Sequence, residues 1–132
     1  MRHTLVVDDE RNYLTILGRN LEDEGYRVST ADNAFAALEL LSREQVALVL
    51  SDLKMPRMDG MELFHRVRED LGELPFVLMT AFATVETALE AMKAGVFDYL
   101  MKPFKNEEIL LVVQKAIDYA RLRSENALLR QQ

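Results

Sequence analysis

The chain has 132 residues, no cysteine and a formal charge of −6 at pH 7. That length gives one domain able to bury a core, and the lack of cysteine excludes disulfides, thiolate metal sites and thiol nucleophiles together. The acidic balance argues against direct nucleic-acid contact, which needs a basic footprint. No run reaches the roughly 18 apolar residues of a membrane span, and the amino terminus enters a strand without a signal-peptide pattern, so a soluble cytoplasmic protein with no membrane contact is expected.

Short apolar runs read as strands, and helical stripes alternate with them. The first run, Val6-Val7, stops at Asp8-Asp9, after which Leu14, Leu17 and Leu21 recur at helical spacing. Gly25 breaks that helix, Arg27 to Ala31 reads as the second strand, and a second helix carries Ala34, Ala37, Leu38 and Leu41. Leu48-Val49-Leu50 stops at Ser51-Asp52; Gly60 permits a turn or starts the third helix, whose stripe is Leu63, Phe64 and Val67. Phe76-Val77-Leu78-Met79 stops at Thr80, and the fourth helix carries Val85, Ala88, Leu89 and Met92 before Gly95 as its C-cap. Tyr99-Leu100-Met101 stops at Lys102-Pro103, and a fifth helix follows with Asn106 as N-cap and Glu107-Glu108 placed for the helix dipole. This alternation predicts an α/β fold, a parallel sheet covered by helices on both faces with right-handed crossovers. It leaves the strand order open.

Past Tyr119 the sequence keeps its helical propensity, with neither Gly nor Pro to stop it. Tyr119, Leu122, Asn126 and Leu129 follow the 3-4-3 spacing of a coiled-coil seam; a frayed terminal helix is the alternative. Arg121, Arg123 and Arg130 read as a solvated helix face.

In a parallel sheet, four of the strand ends share the carboxyl edge, where open α/β sheets bind their ligands. Asp8, Asp9, Asp52, Thr80 and Lys102 then converge. Like carboxylates raise one another's pKa, and a divalent cation relieves that cost. Carboxylate oxygens favour hard cations such as Mg²⁺, which keeps several of its waters. Asp9 and Asp52 are expected as direct ligands and Asp8 through a water. Asp52 is also the candidate nucleophile, because a carboxylate attacks a phosphoryl group without first losing a proton at neutral pH. Lys102 would supply positive charge, Thr80 its hydroxyl and Ala81 its backbone N–H to phosphoryl oxygens. Taken singly, Asp8-Asp9 reads as a solvated loop, Ser51-Asp52 as a helix cap, Thr80 as a strand end and Lys102 as a surface charge. Their coincidence at four strand ends carries the reading.

The segments Leu5-Val6-Val7-Asp8-Asp9-Glu10, Ser51-Asp52-Leu53-Lys54-Met55-Pro56-Arg57-Met58-Asp59-Gly60, Thr80-Ala81 and Lys102-Pro103-Phe104 together resemble the receiver domain of bacterial two-component response regulators. The resemblance covers about residues 3 to 120. It implies a flavodoxin-like, doubly wound (βα)5 fold with strand order 2-1-3-4-5 and a cis Lys102-Pro103 bond. It also implies that Asp52 accepts phosphate from a sensor histidine kinase, that Asp8 and Asp9 form the acidic pocket, and that the backbone carbonyl of Lys54 completes the Mg²⁺ shell. Thr80 would follow the phosphate and Tyr99 would report it by rotating, changing the surface of the fourth helix, fifth strand and fifth helix. Such a domain catalyses only its own phosphorylation and dephosphorylation and is not otherwise an enzyme.

The stretch from Thr80 to Phe104 is similar to receivers of the nitrogen-regulation (NtrC) type, whose full proteins add an ATPase module acting on sigma-54 RNA polymerase and a DNA-binding domain. That likeness makes residues 1–120 the receiver (response regulatory) domain and residues 121–132 a helical linker toward those covalently linked modules, with transcription regulation as output and a homodimer through the tail. Two other functions compete. One is a stand-alone receiver. The other is an aspartyl-phosphate phosphotransferase of the haloacid-dehalogenase kind, which places a second Asp two residues after its nucleophile, where this chain has Lys54. Lys54 and Phe82 are expected to flank the path of the hydrolytic water. His3 and His65 are expected at the surface, and Met55, Met58 and Met61 in loop packing.

Overall fold

The computed structural model describes the backbone of residues 3–131 and the side chains of residues 3–123. Strands β1 (His3–Val7), β2 (Arg27–Ala31), β3 (Leu48–Asp52), β4 (Phe76–Thr80) and β5 (Asp98–Met101) alternate with helices α1 (Arg11–Asp23), α2 (Ala34–Arg43), α3 (Gly60–Leu71), α4 (Val85–Ala94) and α5 (Asn106–Gln131). Every strand pairing is parallel, and the sheet order is β2-β1-β3-β4-β5. The chain runs outward from β1 to β2 and then returns past β1 to β3. The carboxyl ends of β1 and β3 therefore flank the crevice at which the winding reverses.

Strands β1, β3 and β4 are buried along their whole length, as expected for central parallel strands covered on both faces. Side-chain alternation sends Leu5, Val7, Val49 and Leu78 to a layer shared with α2, α3 and α4, and Val6, Leu50, Val77 and Met79 to one shared with α1 and α5. The stripes of the first three helices are buried except Leu38, which is half-buried. The fourth is not. In α4 only Ala91 is buried, while Val85 is 77% and Leu89 55% exposed. This helix lies beside the half-buried edge strand β5 and meets the protein through small residues, so the spacing marks a helix but not the face it buries.

Local chemistry sets the helix ends. Asn33 and Asp59 accept N–H bonds from Ala36 and Glu62 at the starts of α2 and α3. Thr84 and Thr87 form a reciprocal capping box at the start of α4, and Gly95 closes it at φ +108°. Asn106 is the first residue of α5 rather than its N-cap, and the Glu108 carboxylate reaches back to accept the Lys105 N–H (3.2 Å). Gly60 begins α3 where any Cβ would press on the Asp52 carbonyl, so its bareness lets α3 start directly against the end of β3.

His65 is exposed as expected, but His3 is not. Only 1% of His3 is accessible; its Nδ1 bonds the Gln45 carbonyl (3.1 Å) and its Nε2 the Ser29 hydroxyl (2.7 Å). Met55 and Met58 are buried, and the half-buried Met61 packs on the same layer. Arg123 is not simply solvated: it donates to the Glu73 carbonyl and pairs with its carboxylate, both at 2.9 Å. Tyr119 packs on Phe97 at a centroid distance of 5.6 Å. Of the proposed tail seam, Tyr119 and Leu122 are exposed, and the side chains of Asn126 and Leu129 lie outside the described residues. Among the described residues no helix is long and apolar enough to cross a membrane.

Candidate functional site

Parallel register gathers the strand ends. Val7 pairs with Ser51, Asp52 with Met79, and Thr80 with Met101, which sets Asp8, Asp52, Thr80 and Lys102 side by side along one edge. Two backbone bonds tie the loops there: Leu53 N–H to the Met79 carbonyl and Lys102 N–H to the Thr80 carbonyl, both 2.8 Å. The Lys102-Pro103 bond is cis.

Carboxylate oxygens of Asp8, Asp9 and Asp52 lie within 4.8 Å of one another. Asp8 is buried, Asp52 is 8% exposed and Asp9 faces solvent. The Lys102 ammonium donates to Asp8 Oδ2 at 2.6 Å and stands 3.6 Å from Asp52 Oδ1. Asp8 Oδ1 accepts the Glu10 N–H at 3.0 Å, so both Asp8 oxygens are engaged. Thr80 is buried, and its hydroxyl oxygen accepts the Phe82 N–H at 3.1 Å. Ala81, Phe82 and Lys54 are exposed.

One cation among three acids leaves excess negative charge. Burial raises the Asp52 carboxyl to about 6, Asp8 and Asp9 push it the same way, and Lys102 opposes them. The Tyr13 phenol is also raised, first by burial and then by Asp8, Asp52 and Glu10. A donor set of carboxylate oxygens, without thiolate or imidazole, fits a hard divalent cation. Of the three, Asp8 already has both oxygens hydrogen-bonded, so a cation bound here would find the oxygens of Asp9 and Asp52 more open to it.

Tyr99 is half-buried, and its hydroxyl lies 2.8 Å from the Thr87 hydroxyl, within the capping box of α4. Behind it is a cavity of about 290 Å³ lined by Leu53, Leu78, Ala91 and Tyr99 among others. A broader groove of about 1490 Å³ lies at the opposite, amino edge of the sheet and includes none of these site residues. Tyr13, which sequence reasoning did not select, faces the Lys102 ammonium with its ring centroid 4.0 Å from Nζ. Nothing in its local sequence marks it, because its partner lies in the loop after β5.

The family model of the response regulator receiver domain matches residues 4–114. The chain belongs to that family. This receiver domain is 39% identical to Regulatory protein AtoC of Escherichia coli over 92% of its own length and 26% of that protein's. It is 40% identical to Transcriptional regulatory protein ZraR of Klebsiella oxytoca, over 89% and 27%. Among solved structures it superposes on NtrX from Brucella abortus in complex with ATP with a TM-score of 0.91 at 32% identity, covering 98% of this chain and 30% of that one. A receiver domain protein from Clostridium thermocellum gives 0.88 at 27%, covering 92% and 98%. The chain thus spans about a quarter of the length of the curated relatives it matches. The receiver family, the likeness to the NtrC type and the 2-1-3-4-5 order all hold. Membership makes the domain a part of phosphorylation-dependent signalling, a switch rather than an ordinary enzyme.

Proposed function

We propose that this receiver takes a phosphoryl group from a sensor histidine kinase onto Asp52, with Mg²⁺ as its metal, and so alters its α4-β5-α5 surface to control an output module. The observation that carries this reading is the Asp52 carboxylate itself, nearly buried at the end of β3 between two further carboxylates and an ammonium. An Asp52 oxygen attacks phosphorus, the bond from phosphorus to the donor nitrogen breaks with its electron pair going to the imidazole, and an acyl phosphate remains.

Mg²⁺, when bound, neutralises charge on the transferring oxygens. Asp9 and Asp52 would hold it with the Lys54 carbonyl, and Asp8 would act through a water. Lys102, now shared between Asp8 and Asp52, turns to a phosphoryl oxygen, and the Ala81 N–H meets another. The Thr80 hydroxyl, which now accepts the Phe82 N–H, moves to the phosphate and draws the loop after β4 with it. Tyr99 then leaves Thr87, which loosens the first turn of α4.

In the full-length protein, residues 1–120 act as the receiver and residues 121–132 as a linker into ATPase and DNA-binding domains. The output is sigma-54-dependent transcription in the cytoplasm, and the receiver works as a homodimer. Support comes from the match to regulators about four times this length. The phosphotransferase reading is weaker because Lys54 is exposed and stands where that chemistry needs a second acid. Intact-mass measurement after incubation with acetyl phosphate and Mg²⁺ tests the assignment. One labile adduct on wild type and none on Asp52→Asn is expected; an undiminished adduct on the mutant refutes it, and multiple turnover of unrelated phosphate esters would favour the enzyme.

A further inference from the structure

An ammonium has three N–H groups to place. At Lys102, only 13% exposed as a side chain, one goes to Asp8 at 2.6 Å and the side nearest Asp52 lies 3.6 Å from that carboxylate. The remaining wall is the ring of Tyr13, with its centroid 4.0 Å from Nζ. Tyr13 stands one residue before Leu14, which is buried on the inner face of α1, and its ring meets Phe104 edge-on at 6.2 Å. Phe104 follows Lys102 by two residues, so the loop that carries the lysine also clamps the ring that faces it.

We propose that Tyr13 is a positioning residue for phosphoryl transfer, its ring face holding the Lys102 ammonium while the ammonium changes partner from Asp8 to a phosphoryl oxygen on Asp52. This rests on the reading of Asp52 as acceptor. The physical ground is a difference in directionality. The hydrogen bond to Asp8 holds along one N–H direction and weakens as Lys102 turns toward a group on Asp52. The attraction of a ring quadrupole for a cation is spread over its face and persists as the ammonium slides. The ring also takes a place water would otherwise occupy, which keeps the field of the ammonium strong toward Asp52. Ordinary packing against the α1 and α5 layer, in which Tyr13 shares, predicts none of this coupling to Lys102.

The full chain is compared as wild type, Tyr13→Phe and Tyr13→Leu, each also in a Lys102→Ala background, for the rate of Asp52 phosphorylation by acetyl phosphate with Mg²⁺. Tyr13→Leu is expected to slow the reaction about tenfold, the size of a desolvated cation–π contact, and Tyr13→Phe to recover most of that rate. In the Lys102→Ala background the leucine should add less than about twofold, because the two residues act as one unit. The Lys102 ε-methylene protons should be shifted upfield by the ring in wild type and Tyr13→Phe, and move downfield in Tyr13→Leu. Tyr13→Met, which keeps bulk without a ring, repeats the comparison if the leucine variant folds poorly. A rate within twofold of wild type, or equal slowing with and without Lys102, overturns the proposal. If wild type itself takes no phosphate, the acceptor reading fails, and the methylene shift alone then decides whether the ring holds the ammonium.

Discussion

At the amino edge of the sheet, His3 is buried with both ring nitrogens hydrogen-bonded, one to Gln45 and one to Ser29, while Glu44 lies 3.7 Å from Nε2. At the carboxyl edge, Asp8 and Asp52 are also buried, yet three carboxylates cluster beside one ammonium, which reaches only Asp8 and Asp52, and Asp52 is raised to about 6. Burial of polar groups is tolerable when each finds a partner. His3 at the amino edge meets that condition and stabilises the fold. The carboxyl edge leaves negative charge uncompensated, which is what the proposed cation and phosphoryl group would relieve. Substitution should therefore have opposite consequences at the two ends of the same strands.

The largest contrast is expected at Asp52. Asp52→Asn should lower labile phosphorylation by more than about a hundredfold, because the nucleophile is gone, while the circular dichroism spectrum stays native. Next comes His3→Ala, which opens a cavity and strands the partners of two buried hydrogen bonds. It should lose about 2–4 kcal/mol in urea unfolding, with the phosphorylation rate per folded molecule unchanged. Loss of phosphorylation without loss of stability in this variant would erase the distinction between the edges. The smallest effect separates two neighbours. Asp9→Ala should weaken Mg²⁺ binding about tenfold more than Asp8→Ala in a metal titration, because inner-shell contact outweighs contact through water. Equal losses would reverse the assignment of the two carboxylates.

The edges also differ in how legible they were in the sequence. Val6-Val7, Leu48-Leu50 and Phe76-Met79 each run apolar until polar residues end them, so the parallel-sheet inference alone brings Asp8, Asp52 and Thr80 together. Strand order did not follow from alternation and came only from the family likeness. His3 was read as surface because its partners, Ser29 and Gln45, lie 26 and 42 residues away and carry no motif. Tyr13 escaped for the same reason, since a cation over a ring has no sequence spacing. The outward turn of Val85 and Leu89 was hidden as well: a helical period fixes which residues share a face, and tertiary contact at an edge strand decides which face is covered.

Unfolding free energy of wild type and Asp52→Asn, measured against pH in EDTA, tests the contrast most directly. Asp52 ionises near 6 in the folded chain against 3.8 for the unperturbed carboxyl. Below pH 3.8 it is protonated in both states. Between those values the folded chain holds more protons than the unfolded one, so wild-type stability falls as pH rises and levels off above 6. The asparagine variant lacks this loss. Its stability relative to wild type should therefore grow by about 2 kcal/mol from pH 4 to pH 8, from the displacement of Asp52 between 3.8 and about 6. A difference that stays constant with pH, or that shrinks toward pH 8, would contradict the claim that the carboxyl edge is held in an electrostatically strained state.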